Sequence, residues 1–309
     1  MTVLAHGKTT VQADEGRLAE TIFQIASLTK IFTALLLADA ARRGEVGLHD
    51  RLEQYLGVPT PTFEGHPITL LDLATHTSGL PLRPHSRVDR SQDNPYAGYT
   101  EADLYADLGN VRLSRPPGST FEYSNFGYGL LGEALCRRTG QSFRELLSLR
   151  ILDPLKMTGT ALDLSRSMRS RVVQGYDIDF GPARPWTFGV LAPAGALFSN
   201  LTDLGKFLRL FLSSTSVLAA SAKSMLDIDR IGDDAETRMA IGWRKIRAAR
   251  MPTFWSSGNA GGVRSFMGCC PDRGLGVIAF INKTSDIGIN DIGLKILDPP
   301  RVENGSLHV

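Results

Sequence analysis

The stretch "IASLTKIFTALLLADAARRG", residues 25–44, predicts a largely apolar helix that carries two reactive side chains near its start. Apolar residues recur along it at helical spacing, and Gly44 is a plausible terminator. Ser27 and Lys30 are three positions apart, and residues at i and i+3 are neighbours on a helix. The sequence therefore places a hydroxyl beside an amine on adjacent turns.

This pair has a chemical rationale as a nucleophile with its own base. Burial or a nearby positive charge lowers the pKa of a lysine, which can then accept the serine proton. Unpaired N–H groups at a helix start would also stabilise an oxyanion beside Ser27. Because S-x-x-K arises by chance about once in a protein of this size, the alternative of a helix cap and a solvated lysine stays open.

A second motif precedes another predicted helix, in "PPGSTFEYSNFGYGLLGEAL" at residues 116–135. Tyr123 and Asn125 are two positions apart, which puts a phenol and an amide on the same side of an extended segment. The phenol can shuttle a proton, and the amide can hold a substrate carbonyl or the lysine. A half-buried aromatic and a helix cap are the structural alternatives.

Composition excludes several function classes. The 309 residues are 42% hydrophobic and 21% charged, which is ordinary for a globular protein, and the net charge of +2 does not suggest a nucleic-acid or anionic-membrane partner. The sequence contains no apolar run of about 18 residues, so we expect no membrane span. Neither CxxC nor HExxH occurs, so we expect no metal site and no organic cofactor. The odd cysteine count predicts free thiols at Cys136, Cys269 and Cys270.

Helical patterns fill the middle of the chain, and strand patterns cluster in its last part. The helix "NLTDLGKFLRLFL" has Asn200 or Thr202 as its expected cap. The predicted strands after residue 170 are "VVQGYDID", "MAIGWRKI", "TFWSSG", "RSFMGCC" and "GLGVIAFIN". This distribution indicates an α+β protein, a sheet with a helical insertion.

The two motifs, in this order and at this separation, resemble the serine β-lactamase and penicillin-binding-protein family. The most similar branch comprises class C β-lactamases, DD-peptidases and related esterases. Further blocks of the chain look like that family in the expected order: "ITLLDLATHTSGLP", "ILDPLKMTGT", "APAGALFSNLTDLGKFLRLF" and "GGVRSFMG". Together the blocks cover nearly the whole sequence.

The resemblance implies the β-lactamase/transpeptidase-like fold, with the active site in a cleft between two domains. Residues 1–44 and 186–309 would form a domain in which helices flank an antiparallel sheet, and residues 45–185 a mostly helical domain. His76 in "HTSGL" would belong to a structural turn rather than act as a base.

The resemblance also assigns roles to the two motifs. Ser27 would be the acylated nucleophile and Lys30 its base partner. Tyr123 would relay protons in acylation and activate water in deacylation. Asn125 would orient the substrate and the lysine.

A third motif of the family departs from the expected pattern. Ser256 stands where the family has Lys or His, followed by Ser257 and by Gly258, which would let a substrate backbone approach the strand. The N–H of Asn259 would join that of Ser27 in the oxyanion hole. A missing charge-assisted hydrogen bond costs roughly 1.5–3 kcal/mol, and Arg264 is a candidate source of positive charge. The departure favours neutral ester substrates.

From these residues we expect a serine hydrolase that acts through an acyl-enzyme on a small amide, either a β-lactam or a D-Ala-D-Ala-like peptide. The alternatives are a carboxylesterase or transacylase of the same fold, and a non-catalytic member that keeps the cleft. The family has a helix and a strand before the segment that begins here at "TVLAHG", so we expect a shortened N-terminus. The compartment would be cytoplasmic as the sequence stands, and periplasmic or secreted if a leader has been lost.

Overall fold

The computed structural model describes residues 18–85, 94–247, 249–284 and 288–298. The segment "TVLAHG" and the tail beyond Pro299 lie outside the described residues.

Helices are the main regular structure of the described chain up to residue 226 and recur at its end. The α-helices of the described residues are α1 (Thr29–Arg42), α2 (Glu53–Leu56), α3 (Leu70–Ala74), α4 (Glu101–Asn110), α5 (Asn125–Thr139), α6 (Phe143–Leu147), α7 (Arg166–Arg169), α8 (Ala192–Gly195), α9 (Leu201–Leu212), α10 (Ala219–Leu226) and α11 (Ile289–Leu297). Short 3₁₀ turns add Ala26–Leu28, Gly189–Leu191 and Pro271–Arg273, and a π turn spans Ser148–Leu152. None of the described helices is both long and apolar enough to span a bilayer.

The strands form three short pairs and one main sheet. The pairs join β1 (Phe23–Gln24) to β6 (Phe198–Ser199), β2 (Thr62–Phe63) to β3 (His66–Pro67), and β4 (Gly175–Tyr176) to β5 (Pro182–Ala183). The main sheet contains β7 (Arg230–Ile231), β8 (Thr237–Met239), β9 (Arg244–Ile246), β10 (Thr253–Ala260), β11 (Val263–Cys270) and β12 (Leu275–Ile281). It is antiparallel with the order β12-β11-β10-β9-β8-β7, so each strand pairs with its neighbour in sequence. The α+β class predicted from the sequence is confirmed.

Helices cover both faces of the main sheet. On one face Phe266 of β11 packs with Ile289 and Leu297 of α11. On the other face Met267 joins the main core, to which α1, α9 and α10 contribute. Successive residues of a strand point to opposite faces, so Phe266 and Met267 of β11 pack into two different cores.

Helix α1 is the centre of the main core. Every residue from Thr29 to Ala40 is buried, as expected for a helix that is apolar on nearly all sides. Phe32 of α1 stacks on Phe207 of α9, with ring centroids 3.9 Å apart. Burial on all sides fixes the position of α1, and with it the side chains at its first turn.

Local capping chemistry sets the ends of the helices that frame the site. Asn200, one of the two predicted caps of α9, accepts a hydrogen bond from Asp203 N at 2.8 Å. Ser124 caps α5 by accepting from Gly127 N at 2.8 Å. The structural alternative for Asn125, a helix cap, is therefore wrong, because Ser124 fills that position and leaves the Asn125 amide to other partners.

Two of the predicted strands were wrong in extent. The segment 239–246 is not one strand: Met239 ends β8, Arg244 begins β9, and the residues between them form the turn. A glycine at 242 with φ of +75° permits this reversal. In segment 172–179 only Gly175–Tyr176 is extended.

Candidate active site

Ser27 lies in the 3₁₀ turn that leads into α1, on a tightly held loop. Ala26, the preceding residue, has φ of +49°, a left-handed conformation that is uncommon for a residue with a side chain. Ser265 Oγ donates to Ile25 O at 2.9 Å, and Leu197 N donates to Thr29 Oγ1 at 3.1 Å. These contacts on both sides hold the strained backbone and fix where the Ser27 hydroxyl points.

The Lys30 amine has three polar neighbours. Its Nζ lies 2.7 Å from Asn125 Oδ1, 2.6 Å from the carbonyl oxygen of Ala194 and 3.1 Å from Ser27 Oγ. The first two are acceptors only, so Nζ donates to both. A neutral amine has two N–H groups and one lone pair, which leaves the lone pair directed at the Ser27 hydroxyl.

Burial favours that neutral form. Lys30 is buried, with an exposed fraction of 3%. Desolvation, and then the positive charge of Arg244, holds the pKa of Lys30 well below its usual value. The lysine that the sequence placed next to Ser27 is therefore in the environment that a general base requires.

Tyr123 approaches Ser27 from the other side. Its hydroxyl donates to Ser27 Oγ at 2.7 Å, and Lys30 Nζ lies 4.8 Å from the centroid of its ring. Burial raises the pKa of Tyr123, and the Ser27 hydrogen bond and the Arg244 charge only partly offset this effect. The phenol is thus protonated at neutral pH and can pass a proton to a group bound at Ser27.

His76 holds the Tyr123 segment in place. Its ring lies 4.3 Å from the Tyr123 ring, and its Nδ1 accepts from Ser124 N at 3.1 Å. Burial, followed by the charges of Lys30 and Arg244, holds the pKa of His76 well below its usual value. A neutral imidazole with Nδ1 as acceptor carries its proton on Nε2, which fits a structural turn better than a base.

Asn125 is oriented by a residue that the sequence did not indicate. Its Nδ2 donates to the Tyr96 hydroxyl at 2.7 Å, which directs Oδ1 at Lys30. Tyr96 is itself buried and stacks on Phe188, with centroids 5.2 Å apart. A chain of contacts from the core thus sets the amide orientation.

Strand β10 passes directly against the Ser27 turn. A β-carbon at Gly258 would lie 2.7 Å from Ile25 O, Ser27 N and Ser265 Oγ. The approach of a substrate was expected to require this glycine, but the chain's own backbone already requires it. Gly258 therefore sets the distance between β10 and Ser27.

Replacing Gly258 with alanine is expected to lower the rate of Ser27 acylation by about 10²-fold and the free energy of unfolding by about 1–3 kcal/mol. The added methyl must push β10 away from Ser27, and the strand and the Ser27 turn are then both displaced. Gly109→Ala is the matched control, because a β-carbon there meets nothing within 4 Å. Stopped-flow acylation and chemical denaturation measure both effects, and a Gly258→Ala protein as fast and stable as the control would contradict the tight approach.

A cleft of about 350 Å³ opens in front of Ser27. The predicted residues Asn125, Ser257, Gly258, Asn259 and Arg264 all line it. Ser256 is not among its lining residues and is buried, with an exposed fraction of 8%. The structure therefore brings the other predicted site residues together, whereas Ser256 is buried in β10 between Trp255 and Ser257.

The lining also includes charged residues beyond the predicted Arg264. Arg83 and Arg244 contribute two further guanidinium groups, and no lining residue among the described ones is Asp or Glu. The described part of the chain contains no cluster of three or more His, Cys, Asp or Glu side chains arranged to hold a metal ion. The cleft is thus electropositive.

Comparison with known proteins identifies the family of the chain. The family model described as Beta-lactamase matches residues 2–293. The chain belongs to the beta-lactamase family. Among curated relatives, this beta-lactamase-family chain is 27% identical over 298 residues to the D-alanyl-D-alanine-carboxypeptidase/endopeptidase AmpH of Escherichia coli K12, an alignment covering 88% of this chain and 76% of AmpH. It is also 27% identical over 299 residues to a beta-lactamase of the same organism, covering 85% and 76%.

Solved structures of the family share the fold. A beta-lactamase/D-alanine carboxypeptidase from Yersinia pestis, complexed with citrate, superposes with a TM-score of 0.75 at 25% identity, covering 90% of this chain and 82% of that one. A class C beta-lactamase from Rhodobacter sphaeroides superposes with a TM-score of 0.73 at 24% identity, covering 86% and 82%. The β-lactamase-like fold expected from the sequence is confirmed, and the chain belongs to a family of serine hydrolases.

Proposed function

We propose that this beta-lactamase-family protein is a serine hydrolase in which Ser27 forms an acyl-enzyme with a small amide substrate. The observation that carries the proposal is the buried Lys30 amine, which lies 3.1 Å from Ser27 Oγ, donates to two carbonyl oxygens and has a pKa held well below its usual value. A lysine in that state is a base already in contact with its nucleophile.

The reaction follows from this arrangement. Ser27 Oγ attacks the substrate carbonyl carbon while its proton moves to Lys30 Nζ. The oxyanion accepts hydrogen bonds from backbone N–H groups, for which Ser27 and Asn259 are the proposed donors. Collapse breaks the C–N bond, and the proton taken from Ser27 reaches the leaving nitrogen with Tyr123 as the relay. Water activated by the same pair then releases the acyl group.

The charge of the cleft favours substrates that carry a carboxylate. Guanidinium groups pair with carboxylates through two parallel hydrogen bonds, and three arginines line this cleft without a lining acidic residue. A β-lactam or a peptide that ends in D-Ala-D-Ala bears such a group, whereas a simple acyl ester does not. AmpH, one of the relatives, is a D-alanyl-D-alanine carboxypeptidase by name.

A short acyl ester is the second candidate. Ser256 supports it, since a serine replaces the Lys or His that the family places there, and an ester needs no cation to bind its leaving group. A transacylase would use the same first step with a different acceptor.

Steady-state hydrolysis of three compounds tests the proposal: a chromogenic cephalosporin, an N-acylated peptide ending in D-Ala-D-Ala, and p-nitrophenyl acetate. We expect a higher kcat/KM for at least one carboxylate-bearing amide than for the ester, and no turnover by Ser27→Ala. Ester turnover alone would select the esterase. No turnover of any compound would select a non-catalytic protein that keeps the cleft.

A further inference from the structure

Arg244 has no role in the predicted machinery, yet it is built into the cleft. It begins β9 and is the cross-strand partner of Trp255, the residue before Ser256. Its guanidinium carbon lies 5.1 Å from the Trp255 ring centroid, 5.8 Å from that of Phe121 and 5.9 Å from that of Tyr123. Three aromatic rings thus hold one positive charge beside the proposed proton relay.

An ion pair steadies this guanidinium from the outer side. Arg244 Nε donates to Asp233 Oδ2 at 3.0 Å. The arginine side chain is 16% exposed and the aspartate 35% exposed. Water therefore screens the carboxylate more than it screens the guanidinium, and a net positive field remains on the cleft side.

We propose that Arg244 supplies, from the neighbouring strand, the positive charge that residue 256 lacks, and that it acts as a positioning residue which keeps Lys30 unprotonated. The proposal rests on the function proposed above. Both groups lie against one ring, since Lys30 Nζ is 4.8 Å and the Arg244 guanidinium carbon 5.9 Å from the centroid of Tyr123. A proton added to Lys30 would put a second positive charge against that ring.

The other titratable groups around Lys30 do not offset this field. Tyr123 and Tyr128 face the amine with their rings, at 4.8 and 5.6 Å, and His76 lies against both. Burial raises the pKa of each tyrosine and holds that of His76 well below its usual value, so all three are neutral near pH 7. Arg244 is then the charge that disfavours protonation of Lys30 after burial itself.

The direction of the pH effect follows. Because like charge disfavours the protonated amine, removing Arg244 must raise the pKa of Lys30. Acylation requires the neutral amine, so its rate rises with pH through that pKa. Arg244→Gln should therefore move the acid limb of kcat/KM to higher pH by about one unit, the order of shift expected on losing one partly screened positive charge.

The pH profile is best measured with p-nitrophenyl acetate, since a neutral substrate separates tuning of Lys30 from binding of a carboxylate. Arg244→Lys keeps the charge and should restore the wild-type limb to within about 0.3 units. Lys245→Gln is the matched control, because Lys245 is the next residue on β9 and instead pairs with Asp229 at 3.2 Å. Thermal unfolding checks that each variant is folded.

The inference would be overturned if Arg244→Gln left the acid limb of kcat/KM at the wild-type pH. It would also be overturned if Arg244→Lys moved that limb as far as Arg244→Gln does. A second readout does not depend on turnover: titration of the Lys30 Nζ resonance in ¹⁵N-lysine-labelled protein, assigned with Lys30→Met. We expect Arg244→Gln to raise that midpoint by the same amount, and an unchanged midpoint would refute the inference. An inactive wild type whose Lys30 midpoint still moves would refute the proposed function alone.

Discussion

Replacing Lys30 by methionine is expected to lower the second-order rate constant for acylation of Ser27 by about 10³- to 10⁴-fold. Methionine matches the length and the burial of the lysine but has no lone pair to accept the serine proton. The Ser27 hydroxyl would then keep its proton, and Tyr123, which is itself protonated, is a donor to Ser27 rather than a base.

Acylation by a fluorescent penicillin and by p-nitrophenyl acetate measures this loss. Lys223→Met is the matched control, since Lys223 is exposed on α10 and the substitution is the same. We expect the control to react at the wild-type rate. A Lys30→Met protein that is folded and keeps more than about a tenth of the wild-type rate would show that another group is the base.

Replacing Tyr123 by phenylalanine is expected to lower kcat/KM for an amide by about 10²- to 10³-fold. The change removes the hydroxyl that donates to Ser27 Oγ at 2.7 Å and keeps the ring that packs on His76. An ester should lose less, because an alkoxide or phenolate leaving group needs a proton less than an amine does. The amide-to-ester ratio therefore reports the relay role.

Tyr105→Phe controls for the loss of a tyrosine hydroxyl. Tyr105 lies on helix α4, away from the cleft, and its hydroxyl donates to Glu133 at 3.1 Å. We expect wild-type kinetics from it. Equal losses for amide and ester in Tyr123→Phe would mean that the phenol positions Ser27 instead of protonating the leaving group.

Local spacing predicted the two pairs at the centre of the site, and the family resemblance predicted that the two pairs meet. Ser27 and Lys30 are three residues apart at one helix start, and the structure places their heads 3.1 Å apart. Tyr123 and Asn125 flank one capping residue, so their proximity is also local. The α+β class followed in the same way, from helical periods in the middle of the chain and strand periods near its end.

The rest of the site depends on contacts between distant parts of the chain. The Ala194 carbonyl that accepts from Lys30 is 164 residues away from it in sequence. A backbone carbonyl has no sequence signature, so no motif could reveal it. Tyr96, which orients Asn125, lies in none of the motifs that the sequence indicates.

Arg244 was missed for a different reason. The strand predicted at residues 239–246 was continuous, and a continuous strand gave the Arg244 side chain no defined direction. The turn before β9 and the pairing of Arg244 with Trp255 bring it to the cleft. The departure at Ser256 thus identified a missing charge, but only the register of the sheet indicates where a replacement lies.

Peptide mapping by mass spectrometry, after the protein is exposed to a penicillin and quenched in acid, tests the central claim most directly. The account predicts one covalent acyl group, attached to the peptide that contains Ser27 and absent from Ser27→Ala and from acid-denatured protein. An adduct on any other residue, or an unmodified Ser27 after exposure to both the penicillin and p-nitrophenyl acetate, would contradict it.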